Sequence, residues 1–183
     1  TKILDIASSF AYPSLDTHKE SYGWFTCLYG VTENLFRITD EFAIEPWLAE
    51  SIENEGQTWT LHLKEGITFS SGQALTAEMV VRNLERAGQV NERFSQLTTF
   101  HYEVVDEQTI TISTDEPYPT MINLLASPEL GIVNLDYEEQ LDTNVIGTGP
   151  FVVESFVPEG DVSVVKNEHY WGGNVRLDGA VFH

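Results

Sequence analysis

From Thr58 to Lys64 the chain reads TWTLHLK, with Trp59, Leu61 and Leu63 alternating against Thr60 and His62. A period of two sends successive side chains to opposite faces, so this run predicts a half-buried strand. Residues 2–7, KILDIA, form a short apolar run that predicts a buried strand, and YPSLDTH after it carries the Pro, Ser and Asp of a turn. Leu28, Thr32, Leu35 and Phe36 recur at spacings of three and four, which predicts an amphipathic helix ending near Phe36, with Trp24 and Phe25 at its entrance. Gly66 and Gly72 supply turn points around a short strand from Ile67 to Phe69. Thr76 is placed to cap AEMVVRNLERA, whose Ala77, Val80, Leu84 and Ala87 share one face, and Gly88 marks its end.

Two alternating runs, 102–105 and 109–114, flank Asp106, Glu107 and Gln108 and predict a hairpin. YPTMINLLA predicts a short helix opened by Pro119 and stopped by Pro128. A second hairpin runs from Phe151 through PEG to Val165. Strands adjoining in sequence, with helices interspersed, define an α+β chain of mixed sheets with packed helices. Its one seam falls around Gly147.

Composition fits this outline. A 183-residue chain with 42% hydrophobic residues can bury a real core, and no apolar run approaches the ~20 residues that cross a bilayer. Twenty-nine Asp and Glu against nine Lys and Arg give a net charge of −20, which repels phosphate backbones and sets nucleic acid aside as a partner. Cys27 has no second cysteine to pair with.

The chemical motifs are sparse. GTGP at 147–150 has the glycines of a phosphate loop, but Pro150 removes a donor and a strand follows; a tight turn needing glycine's conformational freedom is the better account. The five histidines show no HExxH pairing, the carboxylate runs match no calcium loop, and no GxSxG elbow occurs. Cys27 sits in an acidic chain without a base beside it and reads as packing. The expected catalytic, metal and cofactor sets are therefore all empty.

Several stretches resemble one family. LDTH at 15–18, TENLF at 32–36, EPWLAES followed by TWTLHLKEGITFSSGQALTAEMV, and IGTGPF followed by KNEHYWGG resemble, in order and spacing, motifs of the family 5 extracellular solute-binding proteins. The resemblance implies a fold of the periplasmic-binding-protein type (type II, cluster C), of which this chain is the front portion. Residues 1–40 and 147–183 would form part of the first lobe, and 41–146 an inserted α+β domain. The second lobe would lie after His183.

The implied function is substrate capture for an ABC importer, with an oligopeptide or related small solute as cargo and a permease as partner. A nickel chelate is the alternative within the family, and an enzyme or interaction module on the same fold the alternative outside it. The absence of arginine between 94 and 175 counts against an anionic chelate. The implied location is extracytoplasmic, in the periplasm or at the cell surface, with any membrane attachment through a lipid anchor outside this chain. Tyr22, Trp24, Phe25, Phe94 and His101 are the expected solute contacts, while Tyr29, Leu35 and Phe36 are expected in the core.

Overall fold

The computed structural model describes all 183 residues. Two four-stranded sheets and a small hairpin carry the architecture. The first sheet combines β1 (Ile3–Ile6), β8 (Phe151–Phe156), β9 (Val162–Lys166) and β10 (Gly179–Phe182) in the order β1-β10-β9-β8. Here β1 and β10 run parallel, and the other neighbours antiparallel. The second sheet combines β4 (Ala49–Glu55), β5 (Thr58–Leu63), β6 (His101–Asp106) and β7 (Thr109–Ser113), all antiparallel, in the order β4-β5-β7-β6. Strands β2 (Phe36–Ile38) and β3 (Ile44–Pro46) pair with each other between them. No helix is long and apolar enough to cross a membrane.

The period-two runs of β5 and β7 fold as their patterns require, whereas the 102–105 run, on the edge strand β6, leaves Val104 and Val105 exposed. Trp59, Leu61 and Leu63 of β5 are buried, whereas Thr58, Thr60 and His62 alternate out of the core. Both expected hairpins are present, as β6–β7 and β8–β9. Thr76 caps α2 (Ala77–Val90), its hydroxyl accepting from the Met79 amide at 3.4 Å. The short helix α3 (Met121–Leu125) lies between Pro119 and Pro128.

Five expectations are corrected. The 2–7 run is a strand but not a buried one: β1 lies at the edge of its sheet, with Ile3 57% and Leu4 46% exposed. The aromatic stretch is helical earlier than its spacing suggested: α1 spans Tyr22–Leu28, and Phe36 opens a strand. Gly30, at φ +72°, ends the helix, with its amide donating to the Cys27 carbonyl (3.0 Å) and the Val31 amide to that of Thr26 (3.1 Å). That pattern is a Schellman cap, and the left-handed turn at Gly30 is open to glycine at no steric cost. Gly88 does not end α2, which continues to Val90; a Cβ there would lie 3.0 Å from that of Leu97, so its smallness seats the following turn, Glu92–Thr98.

The 67–69 run makes a single bridge, Thr68 to Ala74, instead of a strand. Gly147 and Gly149 are not in left-handed conformations. They are needed because the turn lies directly on residues 30–31: a Cβ at Gly147 would sit 2.0 Å from the Val31 oxygen, and one at Gly149 2.1 Å from the Gly30 oxygen.

Two cores result. The larger packs α2, α3 and the second sheet around Leu61, Phe69, Leu84, Leu97, Ile110 and Met121. The smaller gathers Tyr12, Leu15, Tyr29 and Val31 with Val133, Leu135, Leu141 and Val145 against Val162, Val164 and Phe182. Polar side chains of α2 join the two. Asn83 exchanges two hydrogen bonds with the Val133 backbone, both 2.9 Å. Arg86 holds Asp16 through two bonds of 2.9 and 2.6 Å, and donates to Nδ1 of the fully buried His18 at 2.8 Å. Arginine can only donate, so Nδ1 is the acceptor and Nε2 donates to the Gly131 carbonyl, 3.0 Å away. The LDTH motif is thus a polar clasp between cores.

Candidate functional site

Gly23 brings the start of α1 onto the turn at 128–130, where any Cβ would lie 2.4 Å from the Pro128 oxygen. This close approach sets Trp24 over Glu129, to whose Oε1 its indole donates at 2.9 Å. One turn further along α1, Cys27 and Leu28 join Trp24 on the wall of an open cavity of about 570 Å³. Strand β2 contributes Phe36, Arg37 and Ile38, and Trp47, Ala126, Pro128, Pro150 and Tyr170 complete much of the lining. Three of the apolar side chains on this wall are conspicuously uncovered: Trp24 is 58% exposed, Leu28 71% and Ile38 58%.

Glu33 stands behind the cavity floor, 8% exposed, and organises it. Its Oε1 accepts from Thr148 Oγ1 (2.8 Å) and Trp171 Nε1 (2.9 Å), and its Oε2 from Trp47 Nε1 and Tyr170 OH (both 2.7 Å). Four donors fill the lone-pair positions of the two oxygens. One carboxylate therefore fixes three aromatic side chains and the GTGP turn. Burial raises the Tyr170 phenol well above its ordinary value, and the Glu33 charge and hydrogen bond add to the shift. Cys27 is exposed toward the cavity, but its packed surroundings and then the Glu33 charge push its thiol up, which disfavours a reactive thiolate.

A smaller hollow of about 290 Å³ adjoins the first, sharing Trp24, Ile38, Ala126 and Pro128 with it, and is closed by Arg93 and Phe94. Glu129 Oε1 also lies 3.3 Å from Arg93 Nη2. Of the five residues singled out from the sequence, Trp24 and Phe94 meet at this wall. Phe94 is nevertheless 6% exposed and belongs chiefly to the larger core. Tyr22 and Phe25 lie on another side of α1, with ring centroids 6.0 and 4.2 Å from that of Tyr12. His101 is exposed on the edge strand β6 beside Asp115, 3.1 Å away, and lines neither hollow. Glu33, Arg37, Trp47 and Tyr170 were not singled out, although the TENLF, EPWLAES and KNEHYWGG stretches contain three of them and Arg37 follows directly on the first. No group of three or more His, Cys, Asp or Glu side chains is placed to hold a metal ion.

Such a mixed α+β chain with an open, aromatic-walled cavity has the fold of solute-binding proteins. A nickel ABC transporter structure from Bacillus halodurans superimposes with a TM-score of 0.93 at 34% identity, over 100% of this chain and 38% of that one. Residues 43–183 match the model of the bacterial extracellular solute-binding proteins, family 5 Middle, and the chain belongs to that family. Among curated relatives, the nickel-binding protein NikA of Staphylococcus aureus is 29% identical over 150 residues, 81% of this chain and 30% of the relative. The glutathione-binding protein GsiB of Salmonella typhi is 28% identical over 157 residues, 80% of this chain and 31% of the relative. The chain thus spans about a third of the length of these curated relatives.

Proposed function

We propose that this chain is the front part of the solute-capturing subunit of an ABC importer, whose cavity forms one wall of a cleft for an oligopeptide or related small solute. The observation that carries this reading is the exposure of Trp24, Leu28 and Ile38 around one cavity. A soluble chain leaves so apolar a wall open where a ligand or partner covers it. The relatives are about three times longer, and the remainder supplies the opposing lobe. In this reading residues 1–40 and 147–183 belong to the first lobe and 41–146 to an inserted domain. The protein works outside the cytoplasm, held at the membrane by a lipid anchor beyond this chain, delivers to a permease, and catalyses nothing.

The nickel similarities favour a second cargo, a chelated metal ion. The wall offers such a solute ring faces and one guanidinium, so the ion would arrive with its own chelator. Calorimetry of the full-length protein against short peptides, and against nickel with histidine, tests the reading. Binding of either class, weakened at least about tenfold by Trp24→Ala, is expected. Failure of both classes to bind, or unchanged affinity in that variant, would overturn it.

A further inference from the structure

We propose that Arg37 reads a carboxylate on the solute, so that this wall selects cargo bearing a monoanionic group; the proposal rests on the cavity being the solute site. The chain's charge of −20 suggests the reverse, a preference for cations, but the acidic groups at the wall are already occupied. Glu33 accepts four hydrogen bonds, and Glu129 Oε1 faces both Trp24 and Arg93. Glu33 therefore has no lone pair left for an ammonium group, and Glu129 is already paired with Arg93.

Arg37 is in the opposite condition. Its Nε donates to Glu45, while both Nη atoms, which carry four N–H donors, have no protein partner. The side chain is half exposed and lines the larger cavity. Its position is also fixed: the guanidinium carbon lies 3.6 Å from the centroid of the Trp47 ring, and that ring is pinned by its Nε1 bond to Glu33. A guanidinium stacked on an aromatic face, with one edge tied and the other open, presents the fork that a carboxylate fills with two parallel bonds. Glu45 at the tied edge already offsets the guanidinium's single charge, so the open edge discriminates by its donor geometry, which matches the two oxygens of a carboxylate, and offers no surplus charge to a dianionic phosphate. The missing arginine between 94 and 175 is therefore no argument against an anionic chelate, because Arg37 supplies the cation from another element.

The test uses the full-length protein and two matched pairs of probes: a tripeptide against its C-terminal amide, and nickel with histidine against nickel with histidinamide. Calorimetry of the unsubstituted protein is expected to favour the acid over the amide by about tenfold or more in the pair that binds. Arg37→Gln should reduce that preference to within about twofold, and Arg37→Lys should keep part of it. Glu45→Gln removes the balancing charge, while its amide oxygen can still accept from Nε and hold the guanidinium in place, so it should retain or increase the preference even if Arg37→Gln folds poorly. An acid-to-amide ratio unchanged by Arg37→Gln, lost in Glu45→Gln, or absent from the unsubstituted protein would overturn the proposal while leaving the cavity's role intact. If no probe binds the unsubstituted protein, the functional reading itself falls and this one with it.

Discussion

Acidification should destabilise this fold through His18 well before the carboxylates titrate. The imidazole is fully buried, and burial, followed by the Arg86 charge beside it, lowers its pKa from 6.5 to about 4. A histidine with a depressed folded value takes up its proton only when the chain unfolds. Its contribution to stability is therefore full above the unfolded value of 6.5 and is lost as pH falls toward 4. For a single site with these two values, the loss between pH 7 and pH 5 is about 2 kcal/mol, with a slope of ~1 kcal/mol per pH unit at the lower end. Asp16 acts later. Burial alone would raise its carboxyl, but the Arg86 hydrogen bonds and charge, with His18 and Lys19, hold it below 3.8, so its share disappears only below that pH. His183 works the other way, since its hydrogen bonds to Asp5 and Asp161 raise its pKa.

Urea denaturation followed by far-ultraviolet circular dichroism, repeated from pH 7 to pH 5, measures the effect as a falling midpoint at constant slope. His18→Gln is the paired variant. It keeps an amide donor and acceptor in place of the ring but cannot take up a proton. Its stability at pH 7 should be lower by about 1–3 kcal/mol through imperfect bonding to Arg86 and Gly131, while its loss between pH 7 and pH 5 should largely vanish. An unchanged pH slope in the variant, or a flat profile in the unsubstituted protein, would refute the assignment of a neutral buried imidazole to the clasp.

Three further outcomes follow from the geometry. Glu33→Gln turns one acceptor oxygen into a donor facing two other donors, and should cost about 3 kcal/mol in urea denaturation; a change under about 1 kcal/mol would contradict the four-donor arrangement. Gly147→Ala should destabilise by more than about 2 kcal/mol, because its Cβ meets the Val31 oxygen at 2.0 Å, whereas Gly56→Ala, with open space around it and only φ +63° to resist, should cost about 1 kcal/mol; the reverse order would be incompatible with the turn's placement. Finally, the 183-residue chain alone should bind short peptides or nickel–histidine no better than millimolar, since roughly 1–3 kcal/mol from an aromatic contact falls short of the ~4 kcal/mol of a millimolar complex. Micromolar binding by calorimetry would mean that these residues hold a complete site.

Elements governed by local chemistry were legible. Strand β5, both hairpins and the start of α2 follow from alternation, from turn residues and from the Thr76 cap, all of which act within a few residues. What escaped depends on contacts made far along the chain. Gly88 looks like a helix end in sequence, yet its role is set by Leu97 and Thr98 folding back onto it. GTGP looks like a turn that needs unusual backbone angles, yet its glycines answer to residues 30–31, more than a hundred positions earlier. The Glu33 cluster likewise draws its donors from positions 47, 148, 170 and 171, and no local pattern places them together.

The aromatic stretch shows how one misplaced boundary changes the reading of a site. With the helix assigned to 28–36, Trp24 and Phe25 stand side by side at its entrance, and both are expected to face the cleft. With α1 at Tyr22–Leu28, each step turns the side chain by about 100°, and Trp24 and Phe25 fall on different sides. Positions 24, 27 and 28 then fall on one side, and positions 22, 25 and 29 on another. The first set, Trp24, Cys27 and Leu28, lines the cavity. The second, Tyr22, Phe25 and Tyr29, stacks around Tyr12 with centroids 6.0, 4.2 and 6.2 Å away. Trp24, Cys27 and Leu28 are exposed on the wall, while Tyr29 is buried and Tyr22 and Phe25 are partly buried against the smaller core, a division that follows from the Schellman cap at Gly30. The same cap turns the chain so that Glu33 and Arg37 follow α1 onto the cavity wall, one as its internal brace and the other as a guanidinium tied to Glu45 with its two Nη atoms open.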